Sequence, residues 1–227
     1  MTWTEWIRTV EVEPSLYAAD FARLGEQVDA LLRTGTRIFH FDVGDGHFVE
    51  PITMGPVVLR AIAERVHELG GVLDVHLMVE QPEHHIPQFA AAGADSVTVH
   101  HEVANDVSAL AGLAREHGLQ FGVAINPGTR VEEGAERAIA AGVDVMLCMS
   151  VVPGYSGQEF LDGSLERLRW LRAALPEQMH LQVDGGITLE NIRAAREAGA
   201  NLIVAASAIF QRDDLSRAYR RLVQALA

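Results

Sequence analysis

The sequence predicts a (β/α)8 TIM barrel, and two observations favour this fold class. Eight apolar segments rich in Val, Ile, Leu or aromatic residues each end near Gly, Asp, Asn or Pro, as strands that lead into loops do. Helical patterns lie between these segments, so eight near-even β–α repeats fit within 227 residues. A doubly wound sheet is the competing architecture, but no Gly-x-Gly-x-x-Gly follows the first predicted strand. Since no linker or low-complexity segment interrupts the pattern, we expect a single domain over residues 1–227.

The strands are predicted from the positions of the apolar segments. In a strand, side chains two positions apart share a face, which decides which residues can act together. The predicted strands, in chain order, are Val10–Ser15, Arg37–Val43, Val72–Met78, Ser96–His100, Gln120–Ile125, Val143–Ser150, His180–Val183 and Leu202–Ala206.

Amphipathic spacing predicts helices in most of the intervals. The first helix carries Phe21, Leu24, Val28 and Leu31 at helical spacing, and Asp20 is its expected N-cap. Several helices are expected to end at glycine, the usual C-terminal stop. The predicted helices are Asp20–Thr34, Pro82–Ala92, Asp106–His117, Arg130–Ala141, Ser164–Ala174, Thr188–Ala198 and Asp213–Ala227, with stops at Gly93, Gly118, Gly142 and Gly199.

The composition predicts a soluble, cytoplasmic protein. Hydrophobic residues make up 48% of the chain, as in a globular domain. The formal net charge of −13 argues against nucleic acid and against an anionic membrane surface as partners. The one cysteine, Cys148, has no internal disulfide partner, which fits a reducing compartment. The first residues lack the apolar core of a signal peptide, and the longest apolar run, near 202–210, is too short to span a bilayer.

All 18 basic residues are arginine, and this excludes several kinds of chemistry. Without lysine, no Schiff base can form on a lysine side chain, so lysine-dependent aldolases are excluded. A lysine general acid or base is excluded as well. An anionic substrate must therefore be held by backbone N–H groups, by arginine or by a metal.

Four residues at predicted strand ends form a candidate metal site. His40 and Asp42 lie two positions apart on the second strand and so point the same way. His76 and Asp184 occupy matching places at the ends of the third and seventh strands. The C-terminal strand ends of a barrel meet at one mouth, where its active site lies. Two imidazoles and two carboxylates at that mouth predict a catalytic site for one divalent metal ion, of which Zn, Fe(II), Mn and Co suit these ligands.

The loops after the last three strands are a candidate phosphate site. In this fold, the loops after strands seven and eight commonly bind phosphate through backbone N–H groups. Gly185 and Gly186 follow the seventh strand and permit close backbone approach, while Ala206 and Ser207 open the last loop. These signals together predict a small phosphorylated substrate.

The chain resembles the ribulose-phosphate 3-epimerase family over nearly its whole length. The matching segments occur in the family's order and are specific only when taken together. They are PSLYAADF (14–21), FHFDVGDGHFVEPITMGP (39–56), DVHLMVEQPE (74–83), AGADSVTVHHE (92–102), AINPGT (124–129), MSVVPGYSGQEF (149–160) and VDGGITLENI (183–192).

The resemblance implies inversion of the carbon beside the ketone of a ketose phosphate, with a divalent metal that stabilises the enediolate. It implies that Asp42 and Asp184 are the two acid/base groups while also touching the metal, and that His40 and His76 are ligands only. It places Ser15, Met78, Met149 and His100 near the substrate and makes residues 153–158 a mobile lid over the phosphate. A homo-oligomer is expected because the family's members form them. The substrate-binding residues implied are Ser15, His76, Met78, Met149, Gly154, Tyr155, Ser156, Gly157, Asp184, Gly185, Gly186, Ala206 and Ser207.

Five positions depart from the family's pattern. Gly44 replaces a methionine two residues after Asp42, so we expect a larger pocket beside the metal or entry of water. Glu13 replaces a small residue, and it either points into the barrel beside Ser15 or is turned outward by Pro14. The other departures are Val152 for asparagine, Ser156 for glycine and Ala206 for glycine.

Three functions remain open at this point. The first is epimerisation of D-ribulose 5-phosphate to D-xylulose 5-phosphate. The second is epimerisation of another ketose phosphate, such as a hexulose 6-phosphate of the allulose type, with Gly44 providing room. The third is a non-catalytic phosphosugar-binding barrel, but binding alone does not need two opposed carboxylates.

Overall fold

A computed structural model describes residues 2–226 and contains the expected eight-stranded parallel barrel. From β2 to β8 each strand pairs with the next one in sequence, and β1 pairs with β8. A parallel bridge between Ser15 and His40 joins β1 to β2 and closes the barrel. The strands are β1 (Glu11–Pro14), β2 (Ile38–Gly44), β3 (Val72–Met78), β4 (Ser96–His100), β5 (Gln120–Ile125), β6 (Val145–Met149), β7 (His180–Asp184) and β8 (Leu202–Ala205).

Apart from α1, which precedes β1, the helices follow the strands and cover the outside of the barrel. Each presents its apolar face to the strands, and the four predicted glycine stops all have positive φ. The helices are α1 (Trp3–Trp6), α2 (Leu24–Thr34), α3 (Pro56–Glu68), α4 (Pro82–Ala92), α5 (Val107–Glu116), α6 (Val131–Ala141), α7 (Ser164–Ala174), α8 (Ile192–Glu197), α9 (Ser207–Phe210) and α10 (Leu215–Ala225). None of the helices in residues 2–226 combines the length and apolar character that crossing a bilayer requires.

The structure corrects the helix prediction in three places. Helix α3 was not predicted, although Leu59, Ile62, Ala63 and Val66 are buried at helical spacing. The chain at 20–23 is a short 3-10 turn whose N-cap is Asp20, and α2 begins only at Leu24. Helix α8 is shorter than its predicted range. Ala227, the last residue of the last predicted helix, lies outside the described part of the chain. Met1, the first residue of the predicted domain, lies outside it as well.

Alternation along the strands divides the core into two layers. In β2, Phe39, Phe41 and Val43 belong to the outer apolar core, whereas His40 and Asp42 point inward. Each fully buried Phe contributes roughly 1.5–3 kcal/mol through removal of apolar surface from water. The outer layer therefore stabilises the barrel, while the inner row is left to carry polar groups. The buried polar residues of the strands are Glu11, Glu13, His40, Asp42, Asp74, His76, Ser96, Thr98, His100 and Gln182.

An apolar plug of two tryptophans closes the N-terminal end of the barrel. Trp3 and Trp6 on α1 pack edge to face, with ring centroids 4.9 Å apart. They lie against the first residues of four strands: Ile38, Val72, Val145 and Leu202. The barrel is thus sealed at this end and opens only at the other, where the polar strand ends meet.

Candidate active site

The four predicted metal ligands converge at the C-terminal ends of β2, β3 and β7. One ligand atom from each of His40, Asp42, His76 and Asp184 lies within 4.8 Å of the other three, and we call this group the metal quartet. Parallel register sets Asp42 opposite His76, and Met149 of β6 opposite Asp184. The strand ladders therefore hold the four side chains together without help from a loop.

The two carboxyls of the quartet have opposite electrostatic environments. Burial works to raise the pKa of Asp42, but His40 and His76 outweigh it and hold that pKa well below its usual range. Burial and then the charge of Asp42 raise the pKa of Asp184 to about 7. Two neighbouring carboxylates do not both ionise readily at close range. At neutral pH the site therefore combines an ionised Asp42 with an Asp184 that can hold a proton.

His40 is oriented from below by a buried hydrogen-bond network. Its Nδ1 lies 3.0 Å from Asp74 Oδ2, and Ser96 Oγ donates to the other oxygen of Asp74 at 2.6 Å. Gln182 Nε2 also donates to Asp74 Oδ2, at 2.8 Å. With Nδ1 committed to Asp74, His40 turns Nε2 toward the quartet, the arrangement that ligating histidines show in metal sites.

The quartet fits a bound cation. His40 Nε2 is buried without a hydrogen bond, and it faces Asp42 Oδ1 at 3.3 Å. His76 Nδ1 faces the same oxygen at 3.0 Å. A nitrogen lone pair opposite a carboxylate oxygen is repulsive unless a proton or a metal ion lies between them. The donor set of imidazole and carboxylate is the one that divalent transition metals take.

Glu13 points into the barrel, which decides between the two orientations left open by the sequence. Its side chain is fully buried, and Gln182 Nε2 donates to Glu13 Oε2 at 2.5 Å. The same oxygen lies 3.7 Å from His40 Nδ1. Burial, and then the charge of Asp74, raises the pKa of Glu13 well above its usual range. Glu13 therefore adds a carboxyl beneath the quartet rather than at the substrate.

Two serines fix the aspartates of the quartet. Ser15, directly after β1, donates its hydroxyl to Asp42 Oδ2 at 2.6 Å. Ser150, directly after β6, places its Oγ 2.9 Å from the carbonyl oxygen of Asp184 and 2.7 Å from that of Gly185. Ser15 thus orients the carboxylate of Asp42, and Ser150 holds the backbone that carries the side chain of Asp184.

A cavity lies directly above the quartet and gathers most of the predicted substrate residues. His76 is the exception, because it is fully buried beneath the floor that Asp42 and Asp184 form. The predicted residues that line the cavity are Ser15, Met78, Met149, Gly154, Tyr155, Ser156, Gly157, Asp184, Gly185, Gly186, Ala206 and Ser207. Sequence reasoning missed Tyr17, Val151, Ile187 and Val204, which also line it. Tyr17 follows Ser15 by two residues, the one signal that could have identified it.

The two glycines after β7 are required by neighbouring chain segments. Gly185 and Gly186 have φ values of 118° and 63°, in the left-handed region that favours glycine. A Cβ on Gly185 would lie 2.4 Å from a side-chain carbon of Val151. A Cβ on Gly186 would lie 2.4 Å from the backbone nitrogen of Phe160. These glycines, with Ala206 and Ser207, form the group that we call the phosphate cradle. Close packing of its loops accounts for the glycines before any ligand is considered.

The lid loop, residues 153–158, touches the loop that follows β2. Tyr155 donates its hydroxyl to Glu50 Oε2 at 3.0 Å. Gln158 Nε2 donates to the carbonyl oxygens of Val152 and Tyr155 at 2.7 and 2.9 Å, which folds the lid loop on itself. Tyr155, Ser156 and Gly157 are exposed, so few contacts hold this part of the loop over the cavity.

The expectation that Gly44 enlarges the pocket is wrong. A Cβ at this position would lie 2.6 Å from the carbonyl oxygen of Pro51 and 2.8 Å from Val49. Thr53 closes the same space and accepts a hydrogen bond from the backbone nitrogen of Gly44 at 2.7 Å. The loop after β2 therefore folds back into the room that a side chain would have taken, and Gly44 does not line the cavity.

Comparison with known proteins finds the same family by a family profile and by individual relatives. The profile of the ribulose-phosphate 3 epimerase family matches residues 11–210. Ribulose-phosphate 3-epimerase 2 of Cupriavidus necator is 39% identical over 226 residues, covering 96% of this chain and 92% of that protein. The ribulose-phosphate 3-epimerase of Escherichia coli K12 is 38% identical over 219 residues, covering 95% of this chain and 96% of its own.

Solved structures with lower sequence identity share the fold. A 3-hexulose-6-phosphate synthase superposes with a TM-score of 0.74 at 20% identity, covering 96% of this chain and 100% of that chain. The orotidine 5'-phosphate decarboxylase of Pyrococcus horikoshii gives a TM-score of 0.70 at 17% identity, covering 95% and 98% of the two chains. At this identity the likeness extends to the barrel alone.

Proposed function

The chain belongs to the ribulose-phosphate 3-epimerase family of carbohydrate isomerases, and we propose that it interconverts D-ribulose 5-phosphate and D-xylulose 5-phosphate. The observation that carries the proposal is the pair Asp42 and Asp184, which project from different strands into one buried site and both line the cavity above it. Inversion at a carbon beside a ketone needs one group to remove the proton and another to return it from the opposite face. Two carboxyl groups that reach the cavity from different strands can supply these two roles.

The metal quartet would hold one divalent ion, with Zn, Fe(II), Mn and Co as the candidates. When bound, that ion would polarise the ketone oxygen as a Lewis acid and make the neighbouring C–H group more acidic. His40 and His76 serve as ligands and do not reach the cavity. Asp42 and Asp184 belong to the quartet and also line the cavity, so each could act on the substrate while helping to hold the ion.

The remaining cavity residues bind, orient and exclude water. Ser15 keeps Asp42 in place through its short hydrogen bond. Met78 and Met149 contribute apolar walls, which lower the local dielectric and strengthen the interaction of charged groups. The backbone N–H groups of the phosphate cradle hold the phosphate, since no lysine is present in the chain.

The pentulose phosphate is favoured over a hexulose phosphate because the cavity gains no room at Gly44. The space of the missing side chain is already filled by Val49, Pro51 and Thr53. A substrate one carbon longer would have to displace the lid loop or the loop after β2. The homo-oligomeric state and the cytoplasmic location stay predictions of the sequence.

A substrate panel tests this function. We expect coupled assays to give a kcat/KM for D-ribulose 5-phosphate at least about tenfold above that for D-allulose 6-phosphate, because a misfitting carbon in a closed pocket costs about 1–3 kcal/mol. A preference for the hexulose phosphate would assign the chain to the sister activity. In deuterated water, the ketose should gain deuterium at C3. If no ketose phosphate exchanges that proton, the chain is a phosphosugar-binding barrel.

A further inference from the structure

A line of contacts runs from His76 of the metal quartet to a glutamate at the rim of the barrel. His76 Nε2 lies 2.8 Å from His100 Nε2, at the end of β4. His100 Nδ1 lies 3.2 Å from Glu102 Oε2. The other oxygen of Glu102 accepts the backbone N–H of Asn126 at 2.8 Å and the hydroxyl of Thr129. The line therefore joins the quartet to the loop that follows β5.

His100 is held tightly within this line. It is fully buried, its ring stacks on that of His76 at a centroid distance of 5.0 Å, and Phe48 packs against it at 4.6 Å. The family resemblance had placed this residue near the substrate. The structure gives it a loop partner in Glu102, but also a direct contact with a metal ligand.

Each hydrogen bond along the line fixes the polarity of the next one. The backbone N–H of Asn126 can only donate, and a carboxylate can only accept. His100 must then donate from Nδ1 to Glu102, which leaves a lone pair on Nε2. That lone pair requires His76 to donate from its own Nε2, so the lone pair of His76 is on Nδ1. This nitrogen is the one that faces Asp42 in the quartet.

The packing of the two outer groups agrees with this polarity. His100 is fully buried between the rings of His76 and Phe48, a setting that disfavours a charged imidazolium, so its ring carries one N–H. Glu102 accepts hydrogen bonds on both carboxylate oxygens, from His100 on one and from Asn126 and Thr129 on the other.

We propose that Glu102 and His100 are positioning residues that fix His76 in the tautomer presenting Nδ1 to the metal. The inference rests on the metal centre of the proposed function and goes beyond it, because neither residue reaches the cavity. His40 has a carboxylate, Asp74, directly on its non-ligating nitrogen. His76 has no carboxylate on its non-ligating nitrogen. Glu102 fixes the position of its proton indirectly, through the hydrogen bonds of His100. Groups of this kind typically change metal affinity 10- to 100-fold when they are altered.

Glu102→Gln is a specific test, because an amide cannot satisfy both ends of the line. The backbone N–H of Asn126 can donate only to the amide oxygen, which turns the NH2 group toward His100 Nδ1. His100 must then carry its proton on Nε2 and donate to His76 Nε2. The lone pair of His76 moves away from the quartet, and Nδ1 carries a proton where the metal should bind.

The first measurement is the dissociation constant for Zn²⁺, by competition with a chromophoric chelator. We expect Glu102→Gln to weaken binding by about 10- to 100-fold. Thr129→Val removes one hydroxyl from the same carboxylate without reversing its polarity, so its constant should stay within about threefold of wild type. Glu132→Gln makes the same change of charge at an exposed site on α6 and should leave the constant unchanged.

The second measurement is direct and needs no variant. In Zn²⁺-loaded wild-type protein labelled with ¹⁵N-histidine, the nitrogen shifts should place the proton of His100 on Nδ1. A proton on Nε2 overturns the proposal, as does Glu102→Gln that binds Zn²⁺ as tightly as wild type. Equal weakening by Thr129→Val and Glu102→Gln also overturns it, because loop position and not polarity would then matter. Wild-type protein that binds no Zn²⁺ overturns the metal centre itself, which separates the two failures.

Discussion

The metal quartet and the phosphate cradle lie in one cavity but are built in different ways. Every quartet residue is part of a strand, and His40 and His76 are fully buried. The cradle follows β7 and β8, with Gly185 and Gly186 in a turn and Ser207 at the start of α9, beside a lid loop that is exposed at Tyr155, Ser156 and Gly157. Strand ladders hold a geometry on which proton transfer depends, whereas loops admit and release a ligand.

This difference predicts which kinetic constant each region controls. Changes in the quartet should lower kcat, since they alter groups that act on the reacting carbon. Changes in the cradle or lid loop should raise KM for phosphorylated substrate, since they alter a remote binding contact. The comparison fails if the two regions affect the same constant in the same way.

The largest effect is expected from Asp42→Asn and Asp184→Asn. Each should lower kcat for epimerisation by about 100- to 10,000-fold, because an amide cannot transfer a proton. Metal content must be measured in each variant, since both aspartates are also expected ligands. The variant that retains the base facing a given epimer should still exchange that epimer's proton with deuterated solvent. Metal-loaded Asp184→Asn with nearly wild-type kcat would contradict the two-base assignment.

An intermediate effect is expected from Ala206→Asp in the cradle. A carboxylate here should raise KM for the phosphorylated ketose by about tenfold, since like charges at close range repel by more than 1 kcal/mol even near a protein surface. Ala206→Asn is the matched control, because it has nearly the same shape without the charge. Steady-state kinetics should show little change in kcat for either variant. A lower kcat without a change in KM would place the phosphate elsewhere. Gly186→Val is a poorer test, because a Cβ there strikes the backbone of Phe160.

The smallest effect is expected from Tyr155→Phe in the lid loop. Loss of the hydrogen bond to Glu50 should raise KM by about two- to fivefold, the usual value of one exposed hydrogen bond. Glu50→Gln keeps an acceptor for the tyrosine hydroxyl and should therefore have the weaker effect of the two. A loss of kcat in Tyr155→Phe as large as in the aspartate variants would show that the lid loop takes part in the proton transfer.

The quartet could be predicted from sequence because strand periodicity alone sets it. His40 and Asp42 must share a face, and the strand ends of a barrel must meet. The line from His76 to Glu102 could not be predicted, because it depends on ring orientations and on how the loop after β5 folds. The effect of Gly44 was predicted wrongly for the same reason: residues 49–53 fold back on it, and spacing does not reveal that return.

The omission of helix α3 has a different cause. Its buried positions follow helical spacing, so the signal was present in the sequence. Two β-branched residues, Val57 and Val58, open the helix and weaken the helical signal at its start. The tryptophan plug was also missed, since a four-residue helix is too short to show a period.

The tryptophan plug has a consequence for spectroscopy. Two of the three tryptophans, Trp3 and Trp6, lie at the sealed end of the barrel, and the third, Trp170, is on the outer helix α7. None of the three lines the cavity. Intrinsic tryptophan emission therefore reports opening of the barrel floor and is insensitive to what binds at its mouth. Thermal or denaturant unfolding followed by tryptophan emission therefore measures unfolding of the barrel separately from occupancy of the active site.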